Sequence, residues 1–467
     1  MKRIAERHLW REIAATTRAS GRRPARSSWQ QQRWSSVSQR PGSDRVHFPG
    51  AVNSRFTTAL NFARATEDDA MPTFRILDQE GRVIDPSLEP QISDEEVIKL
   101  YTDMVSVSVM DLIMFDAQRQ GRISFYMVSA GEEGIAVGSA SSLHPDDPIF
   151  AQYRETGIFQ HRGFTFDDFM AQLFATKDDP GLARNMPVHY GSTKYRIHTI
   201  SSPLATQLPH ASGAAYAVKL QNQLNPTDEP RVVACYFGEG AASEGDFHAA
   251  LNIAATRACP VIFICRNNGY AISTPTLEQY RGDGIASRGV GYGIDTIRVD
   301  GNDILAVREV TARARQRALQ DAGEGKCRPV LIEAMSYRVS HHSTSDDSFA
   351  YRARVEVEDW KRRDNPITRL RKWMEDGRGI WNEEKEQTLR KETRKNVLTA
   401  YRKAEKEKKP PLGSLLRDVY KEPTEELLEQ AAALKSVMER YPDEYDVAEF
   451  VGGMDGLKID THNKKKT

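Results

Sequence analysis

Arg231-Val232-Val233-Ala234-Cys235-Tyr236-Phe237 runs without a break into Gly238-Glu239-Gly240-Ala241-Ala242-Ser243-Glu244-Gly245. The first seven residues are an apolar run of the length and composition of a buried strand. The two glycines flanking Glu239 let the backbone approach a ligand closely. Ser243 and Asp246 read as a capping box, and Phe247, Leu251 and Ala254 or Ala255 then share one face of the helix that follows. Such a helix N-terminus accommodates a phosphate. A second strand, Pro260 to Cys265, ends in Arg266-Asn267-Asn268-Gly269-Tyr270. Strand, helix and strand at this spacing predict a parallel pair with a helical crossover, and the same rhythm continues over 120–340. The expected class is α/β, a mostly parallel sheet flanked by helices.

Open parallel sheets bind ligands outside the carboxyl ends of their strands, so Glu239 and Asn268 should converge in one crevice. With a backbone carbonyl they offer hard oxygen ligands to a divalent cation, and Mg²⁺ completes such a partial cage with substrate phosphates. Arg266 adds a charge directed at phosphate. A third strand, Pro329 to Met335, leads into Arg338-Val339-Ser340-His341-His342-Ser343-Thr344-Ser345-Asp346-Asp347-Ser348. The paired histidines have no cysteine or third histidine nearby, which weighs against zinc. A serine beside a histidine at the mouth of the crevice is a candidate control point.

Each piece alone is unspecific. Gly-Glu-Gly after a strand is an ordinary tight turn, and so is Asn-Asn-Gly. A dinucleotide site would have a third glycine where Ser243 stands, which argues against a nicotinamide enzyme. The combination is specific: strand, Gly-x-Gly, 26 residues (241–266), strand, Asn-Asn. It resembles the thiamin diphosphate fingerprint, with Glu239 in place of the usual aspartate.

Longer stretches sharpen the resemblance. GEGAASEGDFHAALNIAAT, CRNNGYAISTPTLEQYRGDGIASRGVGYGI and YRVSHHSTSDDSFAYR are similar to the alpha subunits of branched-chain 2-oxoacid dehydrogenases. So are QGRISFYMVSAGEEG, FAQYRETG, MPVHYGS and ISSPLATQLPHASGAAYA upstream, and the likeness spans about 47–450. The pyruvate dehydrogenase alpha subunit is the nearest rival. Its motif begins Gly-Asp-Gly and its loop is of a Gly-His-Ser type, so Glu239 and the HHSTSDD string favour the branched-chain enzyme.

The resemblance implies an oxidoreductase that decarboxylates branched-chain 2-oxo acids with thiamin diphosphate and passes the acyl group to a lipoyl group. It implies Mg²⁺ on Glu239, Asn268 and the Tyr270 carbonyl. Tyr153, Arg154, Arg266 and His342 would surround the diphosphate, with Gly240 and Ala241 in close backbone contact. Ser202 and Leu204 would border the pyrimidine. Ser201, Pro203, Thr206 and Gln207 match a structural K⁺ site, although by themselves those residues read as a Ser/Thr turn before a helix. His342 would touch the reaction during acyl transfer. Ser343 matches the family's inhibitory phosphorylation site, and the second such site falls on Ala353, which predicts one-site control or none. Implied partners are a beta subunit in an α₂β₂ assembly, a lipoyl-bearing acyltransferase core, and a regulatory kinase and phosphatase. A silent scaffold subunit is the non-enzymatic alternative, and the joint presence of Glu239, Asn268 and Arg266 argues against it.

The 467 residues carry 65 Lys+Arg against 65 Asp+Glu, which argues against binding nucleic acid by bulk charge. The balance is uneven. The first forty residues hold ten basic side chains and only two acids, Glu6 and Glu12, and they are rich in Ser. Arg3, Arg7 and Arg11 share a helix face apart from Leu9 and Ile13. That pattern predicts a mitochondrial transit peptide over 1–44 and a matrix enzyme. The expected layout continues with an extended arm (45–92), the thiamin-diphosphate-binding domain (93–358), a helical region (359–450) and a flexible tail (451–467). Prolines 49, 72, 86 and 90 mark the arm as loop-like. Ser93-Asp94-Glu95-Glu96 opens a long helix over 97–118. The Glu-, Lys- and Arg-rich stretch 383–409 reads as a solvated helix or helix pair. No apolar run reaches the 18 or more residues of a membrane span. The four cysteines form no Cys-x-x-Cys and read as buried, reduced thiols.

Overall fold

The computed structural model describes residues 45–48, 51–55, 57–60, 62, 70–225, 229–417 and 420–457. The leader expected over 1–44 and the Lys464-Lys465-Lys466 tail lie outside the described residues. Contacts divide the chain into two units, 1–64 and 65–467. In the first, β1 (Arg45–Phe48) and β2 (Ala51–Arg55) pair antiparallel with Arg45 opposite Arg55, where the sequence suggests only loop.

The second unit is built on one sheet. Its strands are β3 (Thr73–Phe74), β4 (Ile149–Phe150), β5 (Ile197–His198), β6 (Val233–Gly238), β7 (Val261–Asn267), β10 (Asp295–Asp300) and β11 (Val330–Met335). They lie in the order β3-β10-β11-β7-β6-β4-β5, and every pairing is parallel. Two short strands, β8 (Tyr270–Ala271) and β9 (Thr274–Pro275), form a separate antiparallel ladder.

The central strands are buried on both faces, so they read as continuous apolar runs rather than as an alternation. Val233, Cys235 and Phe237 of β6, with Val261, Phe263 and Cys265 of β7, pack with the helices Gln207–Leu224 and Gly245–Arg257. Ala234, Tyr236, Ile262 and Ile264 face a larger core shared with the helices Asp94–Arg119 and Ile304–Leu319. The first of these helices is capped as its sequence predicts: Ser93 Oγ accepts the Glu96 N–H at 3.2 Å, and Asp94, Glu95 and Glu96 fill its first turn. It is buried around most of its girth from Val97 to Ala117, so it is a core element and not a surface helix.

One local expectation fails and another is refined. Ser243 caps nothing. Residues Ala241–Ser243 form a 3-10 turn that follows Glu239 and Gly240, the helix starts only at Gly245, and the Ser243 hydroxyl donates to Gln279 Oε1 at 3.1 Å. The charged stretch is the largely exposed helix that its composition suggests, with a narrow buried stripe. Helix Glu383–Ala404 buries Val397, Ala400 and Ala404 against the main core. Its Glu386 accepts hydrogen bonds from Tyr101 Oη at 2.7 Å and Trp381 Nε1 at 3.0 Å. Beyond it, helix Glu425–Arg440 contributes Met438 to a small separate cluster with Leu412 and Leu457. All four cysteines are buried and free. Among the described residues no helix is long and apolar enough to cross a membrane.

Candidate functional site

Five strands adjacent in the sheet, β11, β7, β6, β4 and β5, send their carboxyl ends to the same side, and each is followed by candidate residues. Glu239 follows β6 and Asn268 follows β7. The two meet: the Asn268 N–H donates to Glu239 Oε2 at 3.3 Å. Glu239 is 2 % exposed, and its other oxygen, Oε1, is buried with no partner. Burial pushes this carboxyl up to about 7. The Asn268 amide is oriented by Glu132, whose Oε1 takes its NH₂ at 2.9 Å. Its Oδ1 therefore faces the chain reversal at Gly269 (φ +87°) and accepts the Tyr270 N–H at 3.3 Å. An orphaned carboxylate oxygen beside a fixed amide oxygen fits a small hard cation. No group of three His, Cys, Asp or Glu side chains is placed to hold a metal among the described residues. Gly240 has no room for a side chain, since a Cβ there would lie 2.8 Å from Ala271 Cβ.

Arg266 reaches the crevice, but not as a free phosphate-directed charge. It is 2 % exposed, and its guanidinium is paired with both Glu132 and Glu155 and contacts Gln152 Oε1 at 3.4 Å. Burial works against its charge, and Glu155 and Glu132 outweigh burial and hold its pKa above the ordinary value. Arg266 anchors Glu132, and Glu132 orients Asn268.

Arg154 and His342 form the other wall. Arg154 Nη1 donates to the Val128 carbonyl at 2.6 Å. Its Nη2 donates to the His342 carbonyl at 2.6 Å and lies 3.2 Å from His342 Nδ1. Arg338 Nη1 stands 3.5 Å from the same nitrogen. Two guanidinium groups have only donors to offer, so Nδ1 is the bare acceptor and the ring proton sits on Nε2. Burial, then Arg154 and Arg338, push this imidazole down to about 3, so it stays neutral. The Tyr153 ring meets it edge-on, with 5.9 Å between centroids. The loop around it is tied by Asp346 Oδ2, which accepts the His342 N–H at 2.8 Å and the Tyr351 O–H at 2.7 Å. Ser343, next in the chain, is half-buried and its Oγ accepts the Ser345 N–H at 3.2 Å.

The turn after β5 is more open. Ser201, Ser202, Pro203 and Leu204 are exposed. The Thr206 hydroxyl donates to the Pro203 carbonyl at 3.2 Å, and Gln207 Nε2 ties the turn to β6 through the Tyr236 carbonyl at 2.9 Å. Ser202 Oγ lies 2.8 Å from His189 Nε2. His189 Nδ1 is 3.0 Å from the Pro187 carbonyl, which leaves Nε2 to accept from the serine.

Sequence reading missed Glu132, Gln152, Glu155 and Arg338. The visible signal for the first was Glu132-Glu133 directly before a run of small residues, which forms the fully buried helix Glu133–Ala140. Gln152 Oε1 accepts the Gly238 N–H at 2.8 Å, and no local pattern announces it.

Residues 101–412 match the family described as "Dehydrogenase E1 component". The chain is 49% identical over 424 residues to the mitochondrial 2-oxoisovalerate dehydrogenase subunit alpha of Mus musculus, covering 91% of this chain and 92% of the relative. The Homo sapiens protein of that name is 49% identical over 421 residues, 90% and 91% of the two chains. The one from Dictyostelium discoideum is 52% identical over 381 residues, 81% and 84%. With the parallel sheet and the crevice at its carboxyl ends, these matches establish that the chain belongs to the dehydrogenase E1 component family, the thiamin diphosphate fold of the 2-oxoacid dehydrogenase alpha subunits.

Proposed function

We propose that this chain is the alpha subunit of a thiamin-dependent dehydrogenase that decarboxylates branched-chain 2-oxo acids in the mitochondrial matrix and passes the acyl group to the lipoyl group of an acyltransferase core. The observation that carries the reading is the unpartnered, buried Glu239 Oε1 beside the fixed amide of Asn268. Bound thiamin diphosphate supplies a ring that takes up the electron pair released as carbon dioxide leaves.

This chain's residues hold and orient. Glu239 Oε1, Asn268 Oδ1 and the Tyr270 carbonyl hold Mg²⁺. Tyr153, Arg154, Arg266 and His342 border the diphosphate, with Gly240 and Ala241 in backbone contact, and Arg266 also fixes Glu132. Ser202 and Leu204 border the pyrimidine. Ser201, Pro203, Thr206 and Gln207 take K⁺ as a brace for that turn. A neutral His342 with its proton on Nε2 donates a hydrogen bond toward the diphosphate and serves acyl transfer. The described residues contain one sheet of this kind, so a beta subunit supplies the other half of the site in an α₂β₂ assembly.

Ser343 is the residue a kinase would modify and a phosphatase would restore. Phosphate there adds about −1.5 to −2 charge next to His342 and beside an anionic cofactor. An assembled Ser343→Glu variant with undiminished activity would remove that part of the reading. The reading as a whole is tested by co-expressing the chain with its candidate beta subunit and assaying a panel of 2-oxo acids. Branched-chain acids such as 3-methyl-2-oxobutanoate should be turned over ahead of pyruvate, and a preference for pyruvate would transfer the chain to the rival substrate class.

A further inference from the structure

Thr344 stands two residues beyond His342 and is 4 % exposed, in a loop whose neighbours are largely open. The Tyr126 backbone and Arg119 take up its polar groups. Its N–H donates to the Tyr126 carbonyl at 3.1 Å. Its hydroxyl donates to the same carbonyl at 3.2 Å and lies 3.3 Å from the Tyr126 N–H as acceptor. Its carbonyl accepts from Arg119 Nη1 at 3.3 Å.

Tyr126 is itself anchored from the core. Its phenol donates to Asp111 Oδ1 at 2.7 Å, and Asp111 Oδ2 takes the Ser129 N–H at 2.6 Å. The Ser129 hydroxyl donates to the Arg154 carbonyl at 3.1 Å, and the Val128 carbonyl holds Arg154 Nη1. Residues 126–129 therefore grip both Arg154 and Thr344. Arg154 in turn holds the His342 carbonyl and faces its Nδ1. The histidine is thus fixed from both sides by a single segment that Asp111 braces from the long buried helix Asp94–Arg119. A loop rich in Ser and Asp has no hydrophobic anchor of its own, so its register depends on such polar attachments.

We propose that Thr344 is a positioning residue for His342: its hydroxyl clasps the loop to the Tyr126 backbone and so sets where the imidazole stands. This rests on the reading of His342 in acyl transfer. The test uses the assembled α₂β₂ enzyme with thiamin diphosphate and Mg²⁺, and an isolated lipoyl domain as acceptor. Thr344→Val keeps the shape and the bonds of Thr344's own N–H and carbonyl but removes the hydroxyl, and Thr344→Ser restores it. The valine variant orphans the Tyr126 N–H and should melt slightly lower while still folding cooperatively and assembling, yet lose about tenfold or more in kcat for acyl transfer, with KM for the 2-oxo acid little changed, because a small misplacement of a reacting group is costly. The serine variant should recover most of the rate. Wild-type transfer in the valine variant, with His342→Ala crippled, would overturn the proposal, as would a serine variant as damaged as the valine. If His342→Ala itself transfers normally, the catalytic reading of His342 falls alone. The clasp is then decided by amide exchange over 340–346, where exchange faster by about tenfold in Thr344→Val supports it and unchanged exchange refutes it.

Discussion

Two parts of this molecule are dense in arginine and carboxylate, and they use them in opposite ways. In the crevice Arg266, Glu132 and Glu155 are each no more than 2 % exposed and depend on one another. On the outer face of the 383–404 helix and its neighbours the pairs are open: Lys403 and Asp167, 2.9 Å apart, are 58 % and 55 % exposed. Water screens the second kind, so its members are nearly interchangeable. The first kind has lost its hydration, and each charge is tolerable only while its partners remain. A charge-rich sequence therefore says little about where charge matters. Burial decides that, and burial is set by the sheet.

The contrast can be broken at its strong end first. Arg266→Leu leaves Glu155 buried without its cation and Glu132 with only Arg154, whose Nε lies 3.8 Å away, and should cost about 3–5 kcal/mol, seen as a much lower urea midpoint or as failure to assemble. A midpoint close to wild type would show that the crevice is wetter than its burial implies. Next, Glu239→Gln removes a charge without changing shape. It should weaken Mg²⁺-dependent thiamin diphosphate binding by at least about 100-fold while leaving the metal-free melting temperature equal or higher, since an unpaired buried carboxylate is itself unfavourable. Titration calorimetry showing wild-type cofactor affinity would disconnect Glu239 from the metal.

His342 sharpens the comparison through pH. Its pKa lies near 3 in the folded chain and near 6.5 once unfolded, so below pH 6.5 the unfolded state binds a proton that the folded state refuses. This residue therefore removes stability as the solution is acidified from 6.5 toward 3. His342→Gln should lose less stability than wild type between pH 7 and 5. In the cofactor-free assembly, nitrogen NMR should show a neutral ring protonated at Nε2 at pH 5.5, and a titration midpoint near 6.5 would contradict the two-guanidinium arrangement. The smallest effect belongs to the open face: Lys403→Ala should change stability by no more than about 0.5 kcal/mol.

The same contrast explains what the sequence disclosed. β6 and β7 were legible because strands covered on both faces are unbroken apolar runs, and the residues after them are placed by the rule that parallel sheets bind at their carboxyl ends. Ser93 was legible as a cap because its partner is three residues away. The ion pairs of Arg266 were not legible for the complementary reason. Its partners are 111 and 134 residues distant, and only the assembled sheet brings them together. Ser243 misled because a 3-10 turn was inserted ahead of the helix it was expected to cap. The 383–404 helix hid its buried stripe, since Val397, Ala400 and Ala404 are few and small among many charges.

The central claim is that this chain holds half of a thiamin site and completes it only with a partner. The most direct measurement is release of carbon dioxide from 3-methyl-2-oxobutanoate, with thiamin diphosphate and Mg²⁺, by the purified chain alone and by the chain co-purified with its beta subunit. The account predicts no turnover alone and clear turnover together. Clear turnover by the chain alone would contradict it.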